Sequence, residues 1–360
     1  GYLVKKADGS NYQIANTDFS AGMIDLTNPG AIAWTKSVIN DNVIGEGRCH
    51  GWMHDFAEAL PFDAVLYNGK IGAQYHNQYA IDWARLAREA VEEAGYGDSI
   101  VFFNRSGATR TPGYSTLLWQ GDQLVTWDKY DGFQSAILAT LTGGFSGISL
   151  NHADIGGYTN VSVGKLGFNR EQELLLRWME FAAFTTAFRT HEGLKPELNA
   201  QFSDNDTTYR QFDKFARVYK ALAFYRKQLF QEAAEKGYPV VRHPMLNYPN
   251  DRMLADLKNE IMLGSEILMA PIIRKQAFNN GWNKVYLPEA TQTTWINIFN
   301  GKKYGKNGNV QPPAWLQALN PAHGNWRWVY SPLGEPAAFY REGSAVGAQL
   351  ESNLKALGVK

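Results

Sequence analysis

The chain has 360 residues, and its 35 Lys and Arg balance its 35 Asp and Glu, so the formal net charge is zero. A protein that binds nucleic acid by counterion release needs a basic excess, so this composition argues against a nucleic-acid partner. The hydrophobic fraction of 44% and charged fraction of 19% argue against disorder and predict a sizeable core. No apolar run reaches about 18 residues, so we expect no transmembrane helix and no membrane partner.

Aromatic residues make up 13% of the chain, and 11 of them are Trp. Flat rings suit a carbohydrate site, but aromatic side chains are also common in ordinary cores, and composition does not separate the two readings. The one cysteine, Cys49, excludes an intramolecular disulfide framework and favours a reducing compartment, here the cytoplasm. A homo-oligomer is compatible with this composition.

Strand-like and helix-like segments alternate up to about residue 265, which predicts a parallel sheet or barrel. Three helices are predicted, over residues 75–94, 170–188 and 208–235, with stops at Gly95 and Gly237 and an N-cap at Asn169. The short apolar runs between them cover residues 50–56, 101–103, 117–122 and 147–150.

The pattern changes after about Gly264, where short β-like runs are separated by Pro and Gly. These runs cover residues 267–270, 284–287, 294–298, 326–330 and 337–340. A short final helix is predicted over residues 352–357. We therefore expect a catalytic (β/α) barrel over residues 1–265 and a small antiparallel β-sandwich domain over residues 266–360.

Polar side chains cluster where the apolar runs of the predicted barrel end. In a barrel, the carboxyl ends of the strands share one mouth, so these clusters are expected to converge. They comprise Asp55 with Glu58, Arg105, Asp122, His152 with Asp154, and His191 with Glu192. Two carboxylates suffice for glycoside hydrolysis, one as nucleophile or base and one as acid. The residues alone do not assign these two roles between Asp55 and Asp122.

Metal and nucleotide sites have little support in the sequence. His50 and His54 are spaced for one face of a helix, but the residues between them favour a strand. The H-E-x-x-H, G-x-G-x-x-G and Walker A patterns are absent from the sequence. We therefore expect no metal and no organic cofactor.

Five segments, in order along the chain, resemble glycoside hydrolase family 31. Residues 51–61 (GWMHDFAEALP) resemble its nucleophile segment, and residues 118–123 (LWQGDQ) its acid/base segment. Residues 152–158 (HADIGGY), 188–191 (FRTH) and 263–271 (LGSEILMAP) are similar to three further family segments. The resemblance covers nearly the whole chain and implies an α-retaining glycosidase with a barrel catalytic domain.

The resemblance also implies roles for individual residues. Asp55 would be the nucleophile and Asp122 the acid/base. Arg105, Asp154 and His191 would hold sugar hydroxyls, Glu58 would orient Asp55 or its neighbours, and Trp119 would form a wall of the pocket.

The residues around these positions are similar to those of the sulfoquinovosidase branch, which cleaves α-glycosides of a sulfonated glucose. The similarity rests on the sequence from Asp55 to Glu58, on Gln123 and on Tyr158. In that branch the tyrosine matched by Tyr158 helps to bind the sulfonate. His54 and Thr126 depart from the branch pattern. A neutral-sugar α-glucosidase or α-xylosidase, and an inactive or carbohydrate-binding remnant, remain alternatives.

The position of Asp55 is unusual for the implied barrel. In the family the nucleophile follows the fourth strand, whereas only about 50 residues precede Asp55, and closure needs eight strands. We expect the chain to be the C-terminal portion of a longer enzyme, lacking the first barrel strands, and to be poorly stable and inactive alone.

Overall fold

The computed structural model describes residues 1–16, 19–163, 166–275, 281–308 and 310–360. It consists of two compact units, Gly1–Gly121 and Asp122–Lys360.

The first unit contains a short hairpin, two long helical segments and three parallel strands. The first helix runs on into one π-helical segment, Ile39–Glu46. The elements are β1 (Gln13–Ala15), β2 (Ser20–Gly22), α1 (Pro29–Val38), β3 (Gly51–His54), α2 (Gly72–Glu93), β4 (Val101–Asn104) and β5 (Leu117–Trp119).

The three parallel strands set the geometry of the strand ends in this unit. Strand β3 pairs with β4, which places His54 opposite Asn104, and β4 pairs with β5, which places Asn104 opposite Leu118. Helix α2 confirms the predicted helix over residues 75–94 within a few residues. Its buried stripe includes Tyr79 and Leu86, and it packs into a core with Phe102 of β4.

The second unit begins with helices and short strands and continues into an antiparallel sheet. Its first elements are α3 (Phe133–Phe145), β6 (Asn151–His152), β7 (Val161–Val163), β8 (Leu166–Phe168), α4 (Gln172–Ala182), α5 (Asp206–Ala221) and α6 (Ala223–Lys236). The later elements are β9 (Val241–Arg242), β10 (Ile261–Leu263), β11 (Ile267–Ala270), β12 (Trp282–Tyr286), β13 (Thr294–Asn297), β14 (Lys303–Gly305), α7 (Ala314–Leu319), β15 (Trp326–Tyr330), β16 (Ala337–Arg341) and α8 (Ala345–Ala356).

Six of these strands form one sheet in the order β14-β13-β16-β11-β10-β9, and β12 pairs with β15 in a separate ribbon. The pairings within the sheet and the ribbon are antiparallel. The five β-like runs predicted after Gly264 correspond to β11, β12, β13, β15 and β16. The sheet includes β9 and β10 and therefore begins at residue 241. The predicted boundary at 265/266 falls inside the sheet, in the hairpin between β10 and β11.

The helix predicted over residues 170–188 is shorter, because hydrogen bonds from outside the helix compete at both ends. Helix α4 starts at Gln172, since Glu171 is extended and the N–H of Arg170 donates to Asn199 Oδ1 at 2.9 Å. It ends at Ala182, and the carbonyls of the following turn accept from the guanidinium of Arg226 instead of continuing the helix.

The helix predicted over residues 208–235 is two helices, α5 and α6, with the break at Leu222. The carbonyl of Tyr219, near the break, accepts from Arg226 Nη1 at 2.6 Å. The predicted stop at Gly237 is confirmed, because Gly237 adopts a left-handed conformation with φ 71°.

The final helix, α8, has 12 residues, whereas six were predicted. The sequence pattern did not predict its first turn, because that turn contains a glycine, which is unfavourable in a helix. In the structure Gly347 is buried where α8 crosses β16, and a Cβ there would lie 2.2 Å from the Tyr340 ring. Close packing therefore requires glycine at this position. In the parts of the chain that the structure describes, no helix is both long and apolar enough to cross a bilayer.

Candidate active site

Asp55 and Arg105 follow directly after two neighbouring parallel strands. His54 ends β3 and Asn104 ends β4, and these two residues are register partners. The buried Asn104 side chain ties the ends together by donating from Nδ2 to the His54 carbonyl at 3.0 Å. The next residue of each strand therefore emerges at the same edge of the sheet, as the sequence predicts for strand-end polar residues.

Arg105 links the two carboxylates of the first cluster. Its Nε lies 3.3 Å from Asp55 Oδ1 and 3.0 Å from Glu58 Oε1, and its Nη2 lies 2.5 Å from Glu58 Oε1. Ser106 donates its hydroxyl to the other oxygen of Glu58. Burial alone would raise the pKa of Glu58, but these hydrogen bonds from Arg105 and Ser106 outweigh it and lower the pKa. Glu58 is therefore an ionised anchor for Arg105.

Aromatic rings surround this guanidinium. Its carbon atom lies 4.3 Å from the centroid of Phe56 and 5.8 Å from that of Trp119, which is a cation–π arrangement. The structure thus places Trp119 beside Arg105 within the first unit.

The backbone after Asp55 is held in a costly conformation. Phe56 and Ala57 have φ values of 63° and 86°, in the left-handed region that non-glycine residues seldom occupy. Each such residue costs on the order of 1–2 kcal/mol. The turn is stabilised by the Phe56 N–H, which donates to Asp55 Oδ1 at 2.8 Å, and by Trp83 Nε1, which donates to the Asp55 carbonyl at 2.9 Å. Strain of this kind is typical of functional sites.

His54, directly before Asp55, is a buried neutral residue. Its ring stacks on Trp83 at a centroid distance of 4.0 Å. Trp52 Nε1 donates to Nδ1 at 3.3 Å, so the ring proton is on Nε2, which donates to the Trp83 carbonyl at 3.0 Å. Burial lowers the pKa of His54 to about 4, with the Trp83 carbonyl opposing the shift. His54 therefore packs beneath the turn that follows it and does not titrate near neutral pH.

Asp55 lines a pocket of about 300 Å³ in the first unit, at the lower end of the range for small-molecule sites. Strands β1 and β2 contribute one part of its lining. The other part is formed by the aromatic and charged side chains Asp55, Phe56, Glu58, Tyr79, Trp83 and Arg105.

Within the second unit, the segment that carries Asp122 pairs with the segment that carries Tyr158. The Gln123 carbonyl accepts from the N–H groups of Tyr158 at 2.8 Å and Thr159 at 2.9 Å, and the Asp122 carbonyl accepts from Thr159 Oγ1 at 2.9 Å. The side chain of Gln123 is buried and that of Asp122 is partly exposed. Backbone pairing therefore holds the acid/base candidate beside Tyr158.

Asp154 is fully buried, and its carboxylate forms an ion pair with Arg189. Arg189 Nε also donates to His152 Nε2 at 3.0 Å. Ile155 N donates to the Arg189 carbonyl at 3.1 Å, so the two segments run side by side. The Asp154 carboxylate is therefore not exposed itself, and the partly exposed group of this ion pair is Arg189.

His191 is neutral and lies against Tyr158. The N–H of Gly193 donates to Nδ1 at 3.1 Å, which leaves the ring proton on Nε2. Burial and the nearby Arg189 lower the pKa of His191, and the charge of Asp122 opposes that shift. The rings of His191 and Tyr158 meet edge to face with centroids 4.8 Å apart. Nε2 is therefore a hydrogen-bond donor suited to a hydroxyl oxygen.

The two glycines before Tyr158 are required by the fold of this segment. Gly157 has φ 75°, and a Cβ there would lie 2.6 Å from the Leu124 carbonyl oxygen. Gly156 has φ 90°, and its Cβ would lie 2.3 Å from Cδ of Arg170. Both positions exclude any side chain.

Sequence reasoning missed Arg170 and gave no role to Ser106 or Arg189. Arg189 belongs to residues 188–191 (FRTH), a segment that already resembled the family, and this resemblance could have indicated a role for it. Arg170 lies in a polar stretch that resembles an exposed surface, so no local pattern indicated its burial. Among the described residues, no group of three or more His, Cys, Asp and Glu is arranged to hold a metal ion.

Comparison with known proteins places these motifs in one family. The family described as "Glycosyl hydrolases family 31 TIM-barrel domain" matches residues 1–230, and "Glycosyl hydrolase family 31 C-terminal domain" matches residues 237–346. These matches confirm the predicted fold class, a barrel domain followed by a β-domain.

Relatives of this chain include two sulfoquinovosidases. The protein of Escherichia coli (strain K12) is 39% identical over 98% of this chain and 48% of its own length, and that of Agrobacterium fabrum is 34% identical over 96% and 48%. A solved GH31 family sulfoquinovosidase from E. rectale, in complex with the aza-sugar inhibitor IFGSQ, superposes with a TM-score of 0.85 at 37% identity, over 99% of this chain and 49% of that one. The chain thus spans about half the length of these relatives, and it belongs to glycoside hydrolase family 31.

Proposed function

We propose that this protein is a retaining α-glycosidase that hydrolyses α-sulfoquinovosides. The observation that carries the proposal is the 39% identity to the E. coli sulfoquinovosidase across 98% of the chain. The ion-paired carboxylate cluster around Asp55 and the position of His191 against Tyr158 support it.

Asp55 is the nucleophile in this proposal. Its Oδ1 accepts from the Phe56 N–H and lies near Arg105 Nε, so we assign the attack on the anomeric carbon to Oδ2. The glycosidic bond breaks as the Oδ2–carbon bond forms, which gives a covalent glycosyl-aspartate.

Asp122 is the acid/base. It protonates the departing glycosidic oxygen in the first step and takes a proton from water in the second, when that water displaces Asp55 from the anomeric carbon. The sugar leaves with its original configuration because each step inverts it.

His191, Arg189 and Arg105 are the proposed donors to sugar hydroxyls. Asp154 acts by holding Arg189, because its own carboxylate is buried and ion-paired. Tyr158 is proposed to donate its hydroxyl to the sulfonate, and Gln123 shapes the segment that pairs with Tyr158.

Substrate preference tests the proposal. The full-length protein is assayed on aryl α-sulfoquinovoside and aryl α-glucoside with the same leaving group. We expect kcat/KM for the sulfonated substrate to be at least 100-fold higher. An aryl α-xyloside is assayed beside them, and a preference for the glucoside or the xyloside would replace sulfoquinovose with a neutral sugar. If none of the three substrates is cleaved, the result would favour an inactive remnant.

Trapping with a 5-fluoro glycosyl fluoride tests the role of Asp55. We expect a covalent adduct on the peptide that carries Asp55, and no adduct and no turnover in Asp55→Asn. Asp63→Asn is the matched control, because Asp63 is an exposed carboxylate of the same unit that accepts from Tyr12 at 2.8 Å. An adduct on another residue would overturn the assignment.

A further inference from the structure

Arg170, which precedes α4, is almost completely buried and is surrounded by backbone carbonyls. It is 2% exposed. Its guanidinium donates to Ile155 O (3.5 Å), Gly157 O (3.1 Å), His191 O (2.9 Å), Glu192 O (3.1 Å), Ala200 O (2.8 Å) and Gln201 Oε1 (3.1 Å). Three separate segments of the chain therefore converge on one side chain.

Two of these segments carry the hydroxyl-binding and sulfonate-binding candidates of the second unit. Ile155 and Gly157 lie between Asp154 and Tyr158, and His191 itself is held by its carbonyl. The third segment adds a brace, because Gln201 also donates from Nε2 to the Glu192 carbonyl at 2.8 Å.

Arginine is the side chain that fits this position. Its planar fork presents five N–H donors in fixed directions, whereas lysine offers three donors from one atom. The acceptors are neutral oxygens, and burial lowers the pKa of Arg170 to about 10, with the charges of Asp154 and Asp204 opposing the shift. A buried cation held by six oxygens is costly to build, which favours a specific role for it.

The segment around Gly156 is shaped to Arg170. A Cβ on Gly156 would collide with Arg170 Cδ at 2.3 Å, so the glycine lets the arginine stem pass directly beneath the backbone. The backbone N–H of Arg170 is fixed by Asn199 Oδ1, so the side chain starts from a fixed point.

We propose that Arg170 is a positioning residue that sets the distance between the Tyr158 segment and His191. This inference rests on the proposed function and deepens it. Arg170 acts through the backbone of the two segments and does not touch the sugar. Misplacing binding groups by about 1 Å can reduce turnover on the order of 100-fold.

A double-mutant cycle with His191 tests the proposal in the full-length protein. On the aryl α-glycoside that the wild type cleaves best, we expect Arg170→Lys to lower kcat/KM by about 10- to 100-fold, with KM raised. In the His191→Ala background the same substitution should cost at least fivefold less, because the group it positions is gone. An equal loss in both backgrounds would refute the positioning role.

Arg226→Lys is the matched control. Arg226 is 3% exposed and donates to the carbonyls of Ala183, Thr185 and Tyr219, outside the site segments. Its replacement should destabilise the fold to a similar degree, and its effect on kcat/KM should be the same in both backgrounds. Thermal melts of all variants verify folding.

Gln201→Ala provides a second test if Arg170→Lys does not fold. It removes one acceptor of Arg170 and the brace to Glu192, so we expect a smaller loss with the same dependence on His191. An unchanged kcat/KM for Gln201→Ala would then overturn the inference. Inactivity of the wild type on every α-glycoside would instead refute the proposed function, which is a separate result.

Discussion

Glu260, immediately before β10, has a buried carboxyl group. We predict that Glu260→Gln is more stable than the wild type and that the difference in the free energy of unfolding grows as the pH rises. Its Oε1 accepts from the Tyr286 N–H at 2.8 Å. Among the described residues, no donor reaches its Oε2. Burial raises the pKa of Glu260 from 4.5 to about 8, against the lowering effect of the Tyr286 N–H.

The sign of the effect follows from linkage between protonation and folding. A glutamate whose pKa is higher in the folded state binds its proton more tightly there, so stability is greatest below pH 4.5 and is lost as the pH rises to about 8. Each pH unit in this window costs about 1.4 kcal/mol. Between pH 4.5 and pH 7 the loss is therefore 2.5 units, on the order of 3 kcal/mol. Glutamine has no such dependence and keeps the acceptor for Tyr286.

Urea unfolding followed by tryptophan fluorescence at pH 5, 6, 7 and 8 measures the difference. We expect the free energy of unfolding of Glu260→Gln, relative to the wild type, to rise by about 1 kcal/mol or more per pH unit. Glu342→Gln is the control, since Glu342 is exposed and pairs with Lys303 at 2.5 Å, and it should show no trend in this range. A constant difference between Glu260→Gln and the wild type from pH 5 to pH 8 would refute the reasoning.

Three further substitutions test the second unit. Gly157→Ala should lower kcat/KM at least tenfold, because its φ of 75° and the 2.6 Å approach to the Leu124 carbonyl force the segment to move; steady-state kinetics showing wild-type values would contradict this. Arg177→Met should lower the free energy of unfolding by about 3–5 kcal/mol, because the buried Glu180 then lacks its counter-ion; adding Glu180→Leu should restore part of it, since Leu leaves the Gly334 N–H without its acceptor, and additive losses in urea titrations would count against the explanation. Tyr158→Phe should reduce kcat/KM for the sulfonated substrate at least tenfold more than for the glucoside, and equal reductions would remove the sulfonate role.

The meeting of Asp55 and Arg105 was predictable from the sequence, because it depends on one general property of parallel strands. Residues that follow two paired strands emerge at the same edge, and the apolar runs before both residues marked those strands. Helix α2 was predictable for a similar reason, since its buried face repeats every three to four residues. The final helix was only partly predictable, because its glycine is selected by Tyr340, a residue of another element.

The sequence by itself determined the family, helix α2, the strand ends that carry Asp55 and Arg105, and the stop at Gly237. These features depend on spacing and on residues close together in the chain. Only the tertiary structure decided that Arg170 is buried, that His54 is neutral, that Phe56 and Ala57 are left-handed, and that Glu260 lies away from water. Desolvation and hydrogen bonding depend on segments far apart in the chain, so no local pattern encodes them.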